Sequence, residues 1–166
     1  MKRIVITDID NTIANVNKEL ENKGYRTDIY PSPVPLHLFN DGSVFREAEP
    51  MEYVIKFIEQ MIDDKQDMCV FLTSRDRKHI SVTREWIKKH TPFTFPIYFT
   101  GGVPKGEVLR KLFSDKIIRE YGWVVFEDSP HEIMSYLALK NEVNVDMKFY
   151  IPSWKYNNHI NIGKKI

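Results

Sequence analysis

The chain has 166 residues, 42% hydrophobic and 28% charged, with a formal net charge of +1. This is a globular composition, long enough for one domain with a substantial core and too apolar for a disordered chain. The charge balance gives no global reason to bind nucleic acid or a membrane surface, though it leaves room for a local patch. A single cysteine, Cys69, excludes an internal disulfide and a cysteine-cluster metal site.

Arg3 to Thr7 is short and apolar on both faces, the pattern of a buried parallel strand. Asp8 follows too soon for the apolar stretch of a secretion signal. No run approaches the ~20 apolar residues of a membrane span, so a cytoplasmic location is expected. Ala14 to Lys23 predicts a helix closed by Gly24. Residues 25–50 lose helical periodicity and carry Pro31, Pro33, Pro35 and Pro50. They predict a proline-rich loop or small hairpin flap turning at Asp41-Gly42, and an irregular stretch of that length is often functional.

Met51 to Asp63 predicts a helix, with Val54, Phe57, Ile58, Met61 and Ile62 at helical spacing. Met68 to Thr73 predicts a second strand, with Cys69 inside it as a buried small hydrophobe. A helix over Arg77 to His90, a third strand over Pro96 to Thr100 and a helix over Gly106 to Tyr121 follow. Then come a fourth strand over Trp123 to Phe126, a helix over Pro130 to Lys140 opening on proline, a fifth strand over Met147 to Ile151, and an irregular tail, 152–166. Alternating strands and helices imply right-handed crossovers. The expected fold is one α/β domain over 1–166, a three-layer sandwich with a mostly parallel, Rossmann-like sheet.

Chemistry-bearing residues gather where strands end. Asp8-Ile9-Asp10-Asn11-Thr12 follows the first strand and Thr73-Ser74-Arg75-Asp76 the second. Lys105 opens a helix, and Glu127-Asp128-Ser129 follows the fourth strand. Open α/β sheets bind ligands outside the carboxyl ends of their strands. One crevice would then hold two early carboxylates, a hydroxyl, a lysine and a late acidic pair. A carboxylate can attack phosphorus to form an acyl-phosphate, and a second carboxyl group can protonate the departing oxygen and later activate water. Mg²⁺, held by carboxylates and phosphate oxygens, would screen the repulsion between anions. Thr73 can donate to a phosphoryl oxygen, and Lys105 adds charge beside free helix N–H groups. Each segment has a plainer reading too: Asp, Asn, Thr and Ser all suit helix caps, and Lys105 alone reads as a solvated lysine.

Together the four segments resemble the motifs of the haloacid dehalogenase superfamily of Mg²⁺-dependent phosphohydrolases. Asp8, Asp10 and Thr12 match its Asp-x-Asp-x-Thr, Thr73 its strand-end hydroxyl, Lys105 its helix-start lysine, and Glu127 with Asp128 its late acids, Glu132 being a spaced partner. The resemblance covers Lys2 to about Ile151. It implies Asp8 as nucleophile, Asp10 as general acid/base, Thr73 and Lys105 as catalytic, and Thr12, Ser74 and Arg75 as substrate-binding candidates. It also implies Mg²⁺ on Asp8, the Asp10 carbonyl and Asp128, with Glu127 a further candidate. Asn11 stands where many relatives have glycine, and the short spans between motifs imply a member with no large cap domain.

The substrate implied is a phosphomonoester. Thr73-Ser74-Arg75-Asp76, Thr83-Arg84-Glu85-Trp86 and Glu127-Asp128-Ser129 resemble the 3′-phosphatase domain of phage-type polynucleotide kinase/phosphatases, which implies a nucleic-acid 3′-phosphate or a nucleotide and a phosphate contact from Arg75. Gly101 to Gly106 lacks P-loop spacing, so no kinase half is expected. A small-metabolite or 5′(3′)-nucleotide phosphatase, and a binding module without chemistry, remain as alternatives. Arg77, Lys78, Arg84, Lys88 and Lys89 would either track a phosphate backbone or form a solvated helix face. Trp154, Tyr156 and His159 would either stack on bases or pack back onto the sheet. His37, His79, His90 and His131 read as ordinary surface or helix residues.

Overall fold

The structure, a computed structural model, describes residues 2–63 and 65–166. Its centre is a six-stranded sheet in which every neighbouring pair is parallel. In chain order the strands are β1 (Arg3–Thr7), β4 (Asp67–Thr73), β5 (Ile97–Phe99), β6 (Gly122–Phe126), β7 (Met147–Ile151) and β8 (Lys164–Lys165). In space they run β5-β4-β1-β6-β7-β8. The chain builds outward from β1 to one side, then returns to build β6 and β7 on the other. The order reverses beside β1, the position where such sheets open a crevice.

Both faces are covered, which is why the strands are apolar throughout rather than alternating. Val5, Phe71, Val124 and Phe126 pack against α1 (Val16–Asn22), α2 (Ser43–Glu47), α3 (Glu52–Met61) and α4 (Ile80–His90). Ile4, Ile6, Val70, Leu72 and Val125 pack against α5 (Lys105–Leu112), α6 (Asp115–Glu120) and α7 (Pro130–Val143). This is a three-layer α/β architecture. Among the described residues no helix is long and apolar enough to cross a membrane.

Several local expectations are corrected. Ala14 and Asn15 are not helical. They form a short strand, β2, antiparallel to β3 (Glu49–Pro50). The helix begins after Asn15 because that side chain accepts from Lys18 N at 3.0 Å, a cap that ends the extended segment. Asp41-Gly42 does not turn a hairpin. Asp41 Oδ1 accepts from Ser43 N at 2.9 Å and Gly42 takes φ 71°, so the pair launches α2, after a 3₁₀ turn over Leu36–Phe39. Gly42 also lies against His79, which is buried rather than a surface residue.

The expected helix over Gly106 to Tyr121 is two helices. Phe113 is extended, and Ser114 caps the second through Ile117 N. The tail is not wholly irregular: it makes a 3₁₀ turn, Lys155–Asn157, and adds β8 to the sheet edge. Cys69 is half-buried rather than fully enclosed.

Candidate active site

β1 and β6 end in register, Thr7 opposite Phe126. The pairing continues one step further, with Asp8 N donating to Phe126 O at 3.0 Å. Adjacent parallel strands lie about 4.8 Å apart, so Asp8 and the Glu127-Asp128 pair leave the sheet side by side. All three side chains are buried. Each offers a carboxylate oxygen, and these atoms lie within 4.8 Å of one another. That span is close to two metal–oxygen lengths across a hard cation, roughly 4–5 Å. The donors are all oxygen, so this buried group is compatible with a metal ion.

Lys105 enters from the opposite layer. Its Nζ lies 2.5 Å from Asp8 Oδ1 and 2.7 Å from Glu127 Oε2. Its backbone N–H, at the start of α5, donates to Glu132 Oε2 at 2.8 Å. Gly106 makes this placement workable: a Cβ there would sit 2.3 Å from the Ser135 carbonyl oxygen on α7. Only glycine lets the two helices approach so closely. α7 is itself started by Ser129, whose Oγ accepts from Glu132 N at 3.3 Å, with Pro130 as the first helical residue.

The electrostatics follow from three buried carboxylates around one ammonium, which pairs with Asp8 and Glu127. Burial pushes Asp8 up, against the pull of Lys105. Burial likewise holds Glu127 well above the usual carboxylate range. Asp128 is pushed up to about 8, by burial first and by Asp8 second. For Lys105 burial acts downward, but Asp8 and Glu127 outweigh it and hold the ammonium well above its ordinary value. Such crowding is costly for the free protein and is relieved by added positive charge.

One of the hydroxyls is anchored by these acids. Thr12 Oγ1 lies 3.3 Å from Asp8 Oδ2 and 3.2 Å from Asp128 Oδ1, joining the two carboxylates. Ser74 Oγ donates to Glu132 Oε1 at 3.3 Å. Thr73 is buried and its Oγ1 accepts from Arg75 N at 3.3 Å. Asn11 adopts φ 58°, the left-handed conformation that explains why a turn-tolerant residue stands there.

Asp10 and Arg75 are paired with each other. The Asp10 carboxylate lies outside the three-acid group; Arg75 Nη2 donates to its Oδ1 at 2.6 Å and Arg75 Nε to both its oxygens at 3.1 Å. Arg75 Nη1 reaches Thr83 Oγ1 at 3.0 Å, and the guanidinium lies 4.2 Å from the centre of the Phe45 ring. The guanidinium expected on a substrate phosphate is thus buried and bonded to Asp10 and Thr83. Of the remaining basic residues, Lys78 lies at the crevice, its Nζ donating to Asn40 Oδ1 at 3.3 Å. α4 runs about 16 Å from its start near the crevice toward the amino end of the sheet. Arg84, Lys88 and Lys89 are exposed along it.

Sequence reasoning missed what the tail does. Tyr156 OH donates to Asp128 Oδ2. Burial and the Asp128 carboxylate raise this phenol far above its ordinary value, so it stays a donor. Asn157 Nδ2 donates to Asp128 O at 2.9 Å, and Trp154 Nε1 donates to Asn11 O at 2.7 Å. The two rings stack with centres 6.2 Å apart. These aromatics pack back onto the strand ends, while His159 is exposed. The segment after β7 carries no periodicity that could have signalled this. Ser129 was passed over as well: its Oγ meets Tyr30 OH at 2.8 Å, joining residues 25–50 to the acid centre.

No protein-family model matches this chain, and no curated protein matches it significantly.

Proposed function

We propose that the protein is a Mg²⁺-dependent phosphomonoesterase working through an aspartyl-phosphate, a haloacid dehalogenase-like hydrolase without a large cap domain. One observation carries the reading: Lys105 Nζ bridges Asp8 and Glu127 inside a buried group that also holds Asp128. A structural salt bridge needs one acid per ammonium, and burying a surplus of carboxylates is costly unless something else is bound there.

Asp8 is the nucleophile. Its carboxylate oxygen bonds to phosphorus as the bond from phosphorus to the ester oxygen breaks, and the alcohol leaves with a proton from Asp10. Water then attacks the acyl-phosphate, giving its proton to Asp10 and releasing inorganic phosphate and the Asp8 carboxylate. Lys105 holds Asp8 in place and offsets charge as it builds on the phosphoryl oxygens. Asp8, Asp128 and Glu127 would hold the Mg²⁺, which supplies charge screening between carboxylate and phosphate. Asp10 works from its pair with Arg75, which orients the carboxyl group. That same pair supports one rival, a binding module without turnover, since Arg75 holds the Asp10 carboxyl group outside the three-acid group.

Hydrolysis of p-nitrophenyl phosphate decides between them. Turnover with Mg²⁺ that is lost with chelator and lost in Asp8→Asn supports the esterase. Turnover retained in Asp8→Asn refutes the assigned nucleophile, and no turnover in the native chain with Mg²⁺ supports the binding module.

A further inference from the structure

The carboxy-terminal tail docks by polar contacts more than by apolar burial. Of the described residues after Pro152, only Tyr156 and Asn157 are buried, while Ile160, Ile162 and Ile166 are half-buried or exposed. Both buried residues meet the same acid. Tyr156 OH donates to Asp128 Oδ2, and Asn157 Nδ2 donates to Asp128 O at 2.9 Å. Asn157 is held in turn from outside: Lys165 Nζ donates to its carbonyl oxygen at 2.7 Å and to its Oδ1 at 2.8 Å. Lys165 belongs to β8, so a line of bonds runs from the sheet edge to Asp128.

Counting donors shows what this line supplies. Thr12 has one hydroxyl proton and lies against two carboxylates, Asp8 Oδ2 at 3.3 Å and Asp128 Oδ1 at 3.2 Å, so it can donate to only one of them at a time. Lys105 pairs with Asp8 and Glu127. Among the described residues, Tyr156 is the side chain that donates to the Asp128 carboxyl group without being shared with Asp8. The phenol is itself fixed. Its ring stacks on Trp154, ring centres 6.2 Å apart, and the Trp154 indole donates to Asn11 O at 2.7 Å. A carboxyl group held at both oxygens and at its own backbone carbonyl has little freedom left to lose when a cation binds.

We propose that Tyr156 is a positioning residue for the cation centre, and that cation binding and tail docking are coupled through Asp128. The inference rests on the cation-assisted reading of the acid centre and adds to it a part of the chain outside the four segments that carry the chemistry. Removing a partner that orients a metal ligand typically weakens metal affinity 10- to 100-fold. The coupling is reciprocal: whatever the docked tail adds to cation affinity, the cation returns to tail docking.

Two measurements test the two directions. Mn²⁺, a cation that favours the same oxygen ligands as Mg²⁺, is titrated into the native chain and Tyr156→Phe and followed by electron paramagnetic resonance. It is expected to bind the variant roughly tenfold more weakly. Phenylalanine keeps the ring and its stacking, so a role in packing alone leaves affinity unchanged. Lys165→Met releases Asn157 without touching an acid and should weaken Mn²⁺ in the same direction. Hydrogen exchange reads the return path. The Asn157 and Ile166 amides donate to Trp154 O at 3.1 Å and Ile151 O at 3.0 Å. With Mg²⁺ they should exchange roughly tenfold more slowly in the native chain and show no slowing in Tyr156→Phe. Unchanged Mn²⁺ affinity in the folded Tyr156→Phe, or tail amides indifferent to Mg²⁺ in the native chain, overturns the proposal. If Tyr156→Phe does not fold, unchanged affinity in Lys165→Met overturns it instead. A native chain that binds no Mn²⁺ fails the cation reading as a whole and takes this proposal with it. Mn²⁺ binding that depends on Tyr156, without turnover of p-nitrophenyl phosphate, sinks the esterase reading and leaves the tail assignment standing.

Discussion

The two ends of the same sheet treat charge in opposite ways. At the amino end, Arg3 on β1 meets Asp67 on β4, its Nε 2.8 Å from Asp67 Oδ1, and its Nη2 also donates to Met61 O at 2.8 Å. Asp67 Oδ2 accepts from Asp63 N at 2.8 Å. One acid meets one base, and although burial acts upward, Arg3 and the Asp63 N–H pull Asp67 below its ordinary value. At the carboxyl end Lys105 pairs with two buried acids, Asp8 and Glu127, while Asp128 is buried beside them, and all three are pushed up. The first arrangement stabilises the fold. The second works against it, and a site that strains its own scaffold is where a ligand is expected.

The largest expected break in this contrast is Asp8→Asn. It should lower phosphatase turnover by about 1,000-fold or more, while thermal melting of the chelated variant stays at or above wild type because a crowded charge is gone. A melting point well below wild type would place Asp8 among the stabilising groups. Lys105→Met comes next. It leaves Asp8 and Glu127 buried without their cation, which should cost roughly 3–5 kcal/mol in a urea unfolding curve and remove turnover as well.

A pH series sharpens the comparison further. Asp128 holds its proton up to about 8 when folded and to 3.8 in its ordinary state. Its protonated form therefore favours the fold. That contribution is complete below about pH 4 and is lost as pH rises through 8. Chelated protein should lose melting temperature across this window, and Asp128→Asn should flatten the loss. Asp67 has the opposite sign: its stabilising effect is present above about pH 4 and is lost as pH falls through its lowered folded value. The smallest effect is Asp67→Asn, expected to destabilise by about 1 kcal/mol with kcat/KM unchanged; a change in kcat/KM would show that the two ends are coupled.

Much of this was legible in the sequence. Runs of four to six residues separated by helical spacers marked five of the six sheet strands in chain order, because a strand covered on both faces leaves a continuous hydrophobic signal. Asp8, Lys105, Glu127 and Asp128 were identifiable because each follows an apolar run or opens a helix, and topology brings strand ends together. What the sequence hid was set by single contacts without a period. The start of α1 depends on one Asn15 cap, and the split between α5 and α6 on one Ser114 cap. The pairing of Asp10 with Arg75 joins residues 65 apart in sequence. The role of Tyr156 depends on where a tail without pattern folds back.

That tail has a consequence for the order in which the molecule matures. Domains form as the chain emerges during synthesis, and five of the six sheet strands precede residue 152. A nascent chain could thus assemble nearly its whole scaffold while Asp128 still lacks its phenolic donor and Asn11 its indole. Until Tyr156 docks, the acid cluster at the strand ends lies open on that side.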